Sequence, residues 1–424
     1  VTLNKRLMAA RDLSTLMAVA EADGLTALGP LNVDTLLARL LGLHAYQNRD
    51  GVVGAKGGRV RALLMRVCDY MASGLPGFPT VTLTNCLERL VRLQLRHVSI
   101  ELQKGVEREL VRRPREFATL ELVRLCRLGA GACGVTHLLP AFLEMERRIG
   151  TASLPLDSLL AVTNAFAAVS YHSPAVLDAL ERRLTRDLLS LDGPLLAAAI
   201  SELAAFPDHS PELVDDLATQ VATRTEELKP AHLADAAHAV SLARRPAPEM
   251  LDAIQRRMTP PRLYALGPER LTRLSCALAL SGRLSEDMAA TIERCAVKRL
   301  YQFGGADLGR LLWSVGLSRG ADAQSLFGEV ESRLVETMDD MDPNTLAGAA
   351  WACVQSGYRS LALVDAFDAR AATFHDELDP DAHASVELAS IVQSLQAMAC
   401  DENAERLRVL QRTARSPLKT AVIG

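Results

Sequence analysis

A hydrophobic pattern that recurs every 37 or 38 residues constrains this 424-residue chain more than any other feature. From residue 117 onward, eight segments begin with an apolar residue, and in all but the last a leucine follows five positions later. The eight starts are Phe117, Leu154, Leu191, Leu228, Leu266, Phe303, Met341 and Leu378. Two weaker segments begin near Leu28 and Phe78. Self-similarity at a fixed period of roughly 20 to 50 residues is typical of stacked structural repeats.

Each segment carries the sequence signals of two helices. Prolines such as Pro230 and Pro268 follow two positions after a start, and proline suits the first turn of a helix. Asp342 precedes Pro343 and is a favourable N-cap. Since neither helix could bury its apolar face alone, neighbouring units must stack. We therefore predict an all-α fold, an α-solenoid of about ten helical hairpins of 37–38 residues each.

The sequence predicts four regions. Residues 1–27 form an N-terminal helical cap, and residues 28–150 form basic repeats, which a Gly-rich insertion at 48–58 interrupts. Residues 151–403 form the regular repeats, which become acidic toward the C-terminus. Residues 404–424 form a terminal helix and tail.

The composition agrees with a helical core. Hydrophobic residues make up 49% of the chain and aromatic residues only 4%, which favours close-packed helices over a β-sandwich. No apolar run reaches the roughly 18 residues that span a bilayer, so we expect no membrane insertion. The eight cysteines are scattered without a C-x-x-C pair, which predicts reduced thiols in a cytosol or organelle matrix.

No motif predicts catalysis or a cofactor. Residues 316–320 match G-x-S-x-G, but the strand that this nucleophile motif requires is not expected there. The glycines within 51–58 lack the Gly-Lys-Ser/Thr of a phosphate-binding loop. The histidines form neither H-E-x-x-H nor a His/Cys quartet. We expect a protein that is not an enzyme and that binds no cofactor or metal.

The charge is distributed unevenly along the chain. Residues 1–150 contain 21 Lys+Arg and 14 Asp+Glu, a net charge of +7, whereas residues 151–424 contain 26 and 37, a net charge of −11. Arginine supplies 41 of the 47 cationic side chains. Arginine suits bidentate phosphate contacts, although codon bias explains its excess equally well. The pattern predicts that the N-terminal half contacts a polyanion and that the acidic C-terminal repeats contact protein subunits.

The candidate polyanion-binding side chains lie opposite the apolar stripe of the first helices or on the second helices. Repeats that read single-stranded RNA place a few side chains per repeat in this way. Ordinary solvent-facing helix positions give the same pattern, so that alternative stays open. The candidates are Arg39, Asn85, Arg89, Arg92, Arg96, Arg112, Arg113, Arg115, Arg124, Arg127, Arg270, Arg273 and Arg310.

The repeat resembles a known class. A 37–38-residue hairpin with Leu-x-Pro-x-x-Leu at its start, as in Leu228–Leu233, and Ser-Gly in its turn, as in Ser281–Gly282, is similar to the heptatricopeptide and octotricopeptide repeats of organellar, FAST kinase-like RNA-binding proteins. The resemblance implies RNA binding in a ribonucleoprotein such as the mitoribosome, in the mitochondrial matrix or, as the second choice, in a plastid. Many such proteins end in a RAP domain, which we do not expect here.

A different class of function stays open. The chain could be an RNA-independent scaffold subunit of a large mitochondrial assembly, a respiratory complex or the ATP synthase. The net charge of −4 and the scarcity of aromatic side chains for base stacking favour this alternative.

Overall fold

The computed structural model describes residues 2–22, 29–47, 56–93, 100–131, 136–151 and 154–377. Within these ranges every regular element is helical, and 21 α-helices follow one another along the chain. The predicted all-α class is therefore confirmed. Two compact units are distinguished, the first comprising Val1–Asp187 with Ala205–His209 and the second comprising Leu188–Ala204 with Ser210–Gly424.

The first unit is built from two layers of helices. Helices α3, α5, α7 and α9 pack side by side in one layer, and α4, α6, α8 and α10 do so in the other. Helices α1 and α2 pack against α3, where the sequence predicts a cap. The bounds are α1 (Thr2–Ala9), α2 (Leu13–Ala22), α3 (Pro30–Gln47), α4 (Lys56–Gly74), α5 (Thr80–Arg92), α6 (Ile100–Arg112), α7 (Thr119–Ala130), α8 (Leu139–Ile149), α9 (Leu156–Ala168) and α10 (Pro174–Asp187).

The second unit has the same repeat-like architecture. Its first helices α11, α13, α16, α18 and α20 pack in sequence, and its second helices pack behind them. The short α15 fills the break that Pro260 imposes after α14. The bounds are α11 (Gly193–Ala204), α12 (Pro211–Thr223), α13 (Pro230–Leu242), α14 (Pro248–Arg257), α15 (Pro260–Tyr264), α16 (Pro268–Leu280), α17 (Glu286–Val297), α18 (Gly305–Arg319), α19 (Gln324–Glu336), α20 (Pro343–Ser356) and α21 (Leu361–Glu377).

The local start signals act as the sequence predicts. Helices α13, α16 and α20 begin at a proline. The Oδ1 atom of Asp342 accepts a hydrogen bond of 2.9 Å from the backbone N–H of Thr345, which caps α20. These helices therefore begin where chain-local chemistry dictates.

Three predicted boundaries differ from the observed helices or lie outside the described residues. Residues 48–55 of the predicted Gly-rich insertion lie outside the described residues, but Lys56 already begins α4, so the insertion is shorter than predicted. The Ser-Arg-Gly of residues 318–320 also predicts a turn between helices, which is wrong for its first two residues. Helix α18 continues through Arg319, and the Ser318 hydroxyl donates to the carbonyl of Val315 within it. The last predicted repeat and the tail, residues 378–424, lie outside the described residues.

A periodic set of arginines closes the hairpins. Arg148, near the end of α8, donates hydrogen bonds to the carbonyl oxygens of Phe117 (2.7 Å) and Pro114 (2.8 Å) at the beginning of its own hairpin. Equivalent arginines donate to the carbonyl of the apolar residue that starts their unit. We call these the closing arginines: Arg113 to Phe78, Arg148 to Phe117, Arg183 to Leu154, Arg224 to Leu191, Arg299 to Leu266, Arg333 to Phe303 and Arg370 to Met341.

A second periodic contact joins neighbouring hairpins. Glu146 on α8 accepts hydrogen bonds from the hydroxyls of Tyr171 (2.6 Å) and Ser173 (2.5 Å), which precede α10. In the second unit Glu331 on α19 holds Tyr358 and Ser360 in the same way. A carboxylate of one second helix thus fixes the turn of the following hairpin.

Stability should depend on pH through Glu144, whose side chain is 9% exposed. The hydrogen bond from Arg147, with help from Arg148 and against the effect of burial, lowers the pKa of Glu144 from 4.5 to about 2. A carboxyl group whose pKa is lower in the folded chain than in the unfolded chain stabilises the fold at pH values above its unfolded pKa. This stabilisation is lost as the pH falls through the pKa of the folded chain. We therefore expect the urea midpoints of wild type and Glu144→Gln to differ fully at neutral pH and to converge as the pH falls from about 4.5 to about 2. A gap that is independent of pH would contradict this.

Candidate nucleic-acid interface

The candidate cations on the first helices of the first unit are engaged by neighbouring helices. Arg89 on α5 pairs with Asp34 on α3 and also donates to its carbonyl oxygen at 2.8 Å. Its side chain is 27% exposed. Arg39 on α3 is half-buried and donates to the carbonyl of Ala10. Arg89 thereby links α5 to α3, and Arg39 links α3 to the segment between α1 and α2. Both guanidinium groups are therefore less accessible to solvent than the sequence predicts for positions opposite an apolar stripe.

Arg124 and Asn85 belong to one hydrogen-bond network. Arg124 on α7 donates to the Asn85 amide oxygen (2.8 Å) and to the Glu88 carboxylate (2.9 Å from Nε), and both acceptors lie on α5. Both candidates are half-buried. The network ties α5 to α7 across the layer of first helices.

The three candidates of the second unit form weaker pairs. Arg270 meets Asp235 at 3.0 Å, Arg273 meets Glu269, and Arg310 meets Asp342 at 3.4 Å. All three arginine side chains are more than 40% exposed. Exposed pairs of this kind contribute at most about 1 kcal/mol, so these guanidinium groups can exchange partners easily.

The candidates on or after the second helices differ among themselves. Arg113 is a closing arginine with a side chain 12% exposed, and its role is therefore structural. Arg112 is 56% exposed and pairs with Glu109 at 2.6 Å. Arg115 is exposed. Arg96 lies outside the described residues.

Three candidates remain open to solvent. Arg92 lies at the end of α5, Arg127 in the last turn of α7, and Arg115 in the 3-10 turn after α6. Each is exposed and has no hydrogen-bond or ion-pair partner within the described part of the chain. They are the candidates best suited to a ligand phosphate.

A larger cationic surface, to which Arg112 of the candidates above belongs, lies on the second helices of the first unit. Exposed cations outnumber exposed carboxylates on α4, α6, α8 and α10, where the exposed acidic residues are Asp69, Glu101 and Asp178. We call the cations the basic face: Arg59, Arg61, Arg66, Lys104, Arg108, Arg112, Arg147, Arg182 and Arg186. In two of these helices the sequence signal is a spacing of four residues between cations, at Lys104, Arg108 and Arg112 in α6 and at Arg182 and Arg186 in α10.

The second helices of the second unit have the opposite charge. Their exposed cations within the described helices are Arg256 and Arg294. Their exposed acids are Glu212, Asp216, Glu249, Glu286, Asp287, Glu329, Glu336 and Asp365. The charge asymmetry of the sequence is thus seen on the second helices of each unit.

Other kinds of site find little support in the described residues. No group of three His, Cys, Asp or Glu side chains there could hold a metal ion. No helix in the described ranges combines the length and apolarity that a membrane span requires. Burial raises the pKa of the Cys276 thiol to about 12, so this half-buried cysteine is a poor nucleophile.

Comparison of the chain with protein-family models and with curated proteins gave no match.

Proposed function

We propose that this protein is a non-catalytic α-solenoid of 37–38-residue helical hairpins that binds RNA through the basic face and protein subunits through the acidic second helices. The observation that carries the proposal is the basic face itself, nine exposed cations on four adjacent helices against three exposed carboxylates. Five of the nine, namely Arg59, Lys104, Arg112, Arg147 and Arg186, also pair with a carboxylate within 4.0 Å, and Arg61, Arg66, Arg108 and Arg182 form no such pair among the described residues. Such a surface attracts a polyanion and releases its counterions. The closing arginines support the solenoid, because they bind the carbonyl of the starting residue in seven of the units.

The cellular setting of the proposal comes from the repeat resemblance. Hairpins similar to heptatricopeptide and octotricopeptide repeats favour a mitochondrial ribonucleoprotein, such as the mitoribosome. Acidic second helices would be repelled by RNA phosphates, which favours protein neighbours for the second helices of the second unit. RNA contact would then be partial, with the rest of the chain held by proteins.

The test is removal of charge from the basic face. A variant in which five exposed cations become glutamine should bind a single-stranded RNA more than tenfold more weakly at physiological salt. Its log–log salt slope should fall by about 0.7 for each phosphate that the variant no longer neutralises. Fluorescence anisotropy of a labelled RNA over a range of salt concentrations measures both quantities. The five substitutions are R61Q, R66Q, K104Q, R108Q and R147Q.

The second unit supplies a matched control. Arg256→Gln with Arg294→Gln removes exposed cations from second helices outside the basic face, and this variant should bind RNA like wild type. Unchanged binding in the five-residue variant would overturn the assignment of the surface to RNA.

A second candidate function has its own observation. Apolar side chains are exposed on the same second helices, with Ile100 at 63%, Val111 at 65% and Leu143 at 49%. Exposed apolar side chains favour a protein neighbour, as in an RNA-independent scaffold subunit of a respiratory or ATP synthase complex. Sedimentation of the native protein from organelle lysate with and without RNase separates the two, since a scaffold stays in a heavy particle when the RNA is digested.

A further inference from the structure

The two tryptophans of the sequence occupy equivalent positions on neighbouring helices. Trp313 on α18 follows Phe303 by ten residues, and Trp351 on α20 follows Met341 by ten. Helices α18 and α20 pack directly against each other. Both indoles are half-buried, so each retains a solvent-accessible surface. A large aromatic side chain used only to fill the core would be buried, as the eight phenylalanines with less than 2% exposure are.

A glycine on α20 allows the indole of Trp313 to lie close to the backbone of that helix. At the place where α16 has Arg273 and α18 has Arg310, α20 has Gly348. A Cβ atom at Gly348 would lie 3.3 Å from Cδ1 and 3.4 Å from Cγ of Trp313. The missing side chain therefore lets Trp313 pack on the backbone of α20. The indole is positioned before any ligand arrives, which lowers the entropic cost of binding.

A cation lies beside the first tryptophan. Arg310 precedes Trp313 by three residues, so the two side chains share one face of α18. Arg310 pairs with Asp342 only at 3.4 Å, and the two side chains are 53% and 48% exposed. Such a pair contributes little, so the guanidinium can turn to a phosphate at small cost.

The surroundings of the tryptophans are less acidic than the second helices of the same unit. On the neighbouring first helices, Asp235 pairs with Arg270 and Glu269 pairs with Arg273. Asp307 on α18 has Arg310 and Arg273 as its nearby cations. The first-helix layer therefore combines two accessible indoles, an exchangeable arginine and compensated charge. Proteins that bind single-stranded nucleic acid without strong sequence preference use aromatic faces and arginines together.

We propose that Trp313 and Trp351 are stacking platforms for unpaired bases of single-stranded RNA, with Arg310 contacting an adjacent phosphate. This inference rests on the proposed function, since it requires that the chain bind RNA. It adds a second site, which recognises bases rather than phosphate charge and lies on the first helices of the second unit.

The intrinsic fluorescence of the full chain tests the proposal directly. Because both tryptophans belong to the site, titration with a 12-nucleotide oligouridylate should quench the emission saturably, in step with the anisotropy of the labelled RNA. Inorganic polyphosphate carries charge without bases, so it should compete for the basic face without quenching. Equal quenching by polyphosphate would report a change of shape instead of stacking and would overturn the proposal.

Substitutions at each tryptophan measure its contribution to RNA binding separately. Trp313→Ala and Trp351→Ala should each weaken binding of oligouridylate by roughly 5- to 150-fold and remove part of the quenching. The phenylalanine variants Trp313→Phe and Trp351→Phe should retain most of the affinity, which controls for misfolding. Asn344→Ala, at an exposed position of α20, is the matched control and should change neither quantity.

Two outcomes separate the proposals. Oligouridylate binding without quenching, and with undiminished affinity in both alanine variants, would overturn the stacking proposal, leave the basic face intact and assign the tryptophans to a protein partner. No RNA binding by anisotropy in the wild-type chain would overturn the proposed function, and the stacking site with it.

Discussion

Replacing Arg148 by methionine is expected to lower the free energy of unfolding of the first unit by about 2–4 kcal/mol. Arg148 is 16% exposed and supplies hydrogen bonds to two carbonyl oxygens, those of Phe117 and Pro114, and to the carboxylate of Glu144. Methionine retains much of the apolar stem but leaves these acceptors without this donor. Urea denaturation followed by far-ultraviolet circular dichroism measures the change.

The neighbouring arginine is the matched control. Arg147 binds the same carboxylate of Glu144 at 2.7 Å, but its side chain is 58% exposed. Arg147→Met should therefore cost less than about 1 kcal/mol. Similar destabilisation in the two variants would contradict a special role for Arg148 and would reduce it to one of two interchangeable ion-pair partners.

The fold class could be predicted because its signals are local and periodic. Pro230 and Pro343 begin helices through their own backbone geometry, and Asp342 caps α20 through a residue three positions away. The closing arginines could not be predicted in the same way. Arg148 is 31 residues from its acceptor Phe117, and only the folded hairpin brings the two together.

The candidate surface was predictable in sign but not in place. The excess of cations over residues 1–150 follows from counting, and the basic face lies mostly there. Helical periodicity places Arg89 and Arg124 opposite the apolar stripe, but the packing of first helices against each other brings Asp34 and Glu88 within reach of them. A position that is exposed on an isolated helix becomes half-buried in a layer, and sequence alone does not specify which neighbour lies beside it.

Arginines that form internal hydrogen bonds explain part of the high arginine content of the chain. Seven closing arginines and the cross-helix pairs of α5 and α7 account for part of it through internal hydrogen bonds. The five donors of a guanidinium suit several carbonyl acceptors as well as they suit a phosphate. The exposed remainder, in the basic face and at Arg92, Arg115, Arg127 and Arg310, supports the proposed RNA contacts.

Gly305→Ala is expected to destabilise the second unit by about 3 kcal/mol or more, because this glycine begins α18 and lies against the backbone at the end of α19 in the same hairpin. A Cβ atom at Gly305 would lie 2.0 Å from the carbonyl oxygen of Thr337, which is backbone and cannot rotate away. Gly304→Ala is the control, since a Cβ at Gly304 meets nothing within 4 Å, and the loss of a glycine N-cap costs at most about 1 kcal/mol. Thermal unfolding should show a Tm lower by roughly 6–12 °C for Gly305→Ala and by only a few degrees for Gly304→Ala. Reduced backbone freedom of the unfolded chain favours folding in both variants, so it cannot account for a loss of stability. Equal shifts would contradict the prediction, because they would mean that a small separation of α18 and α19 relieves the contact at Gly305.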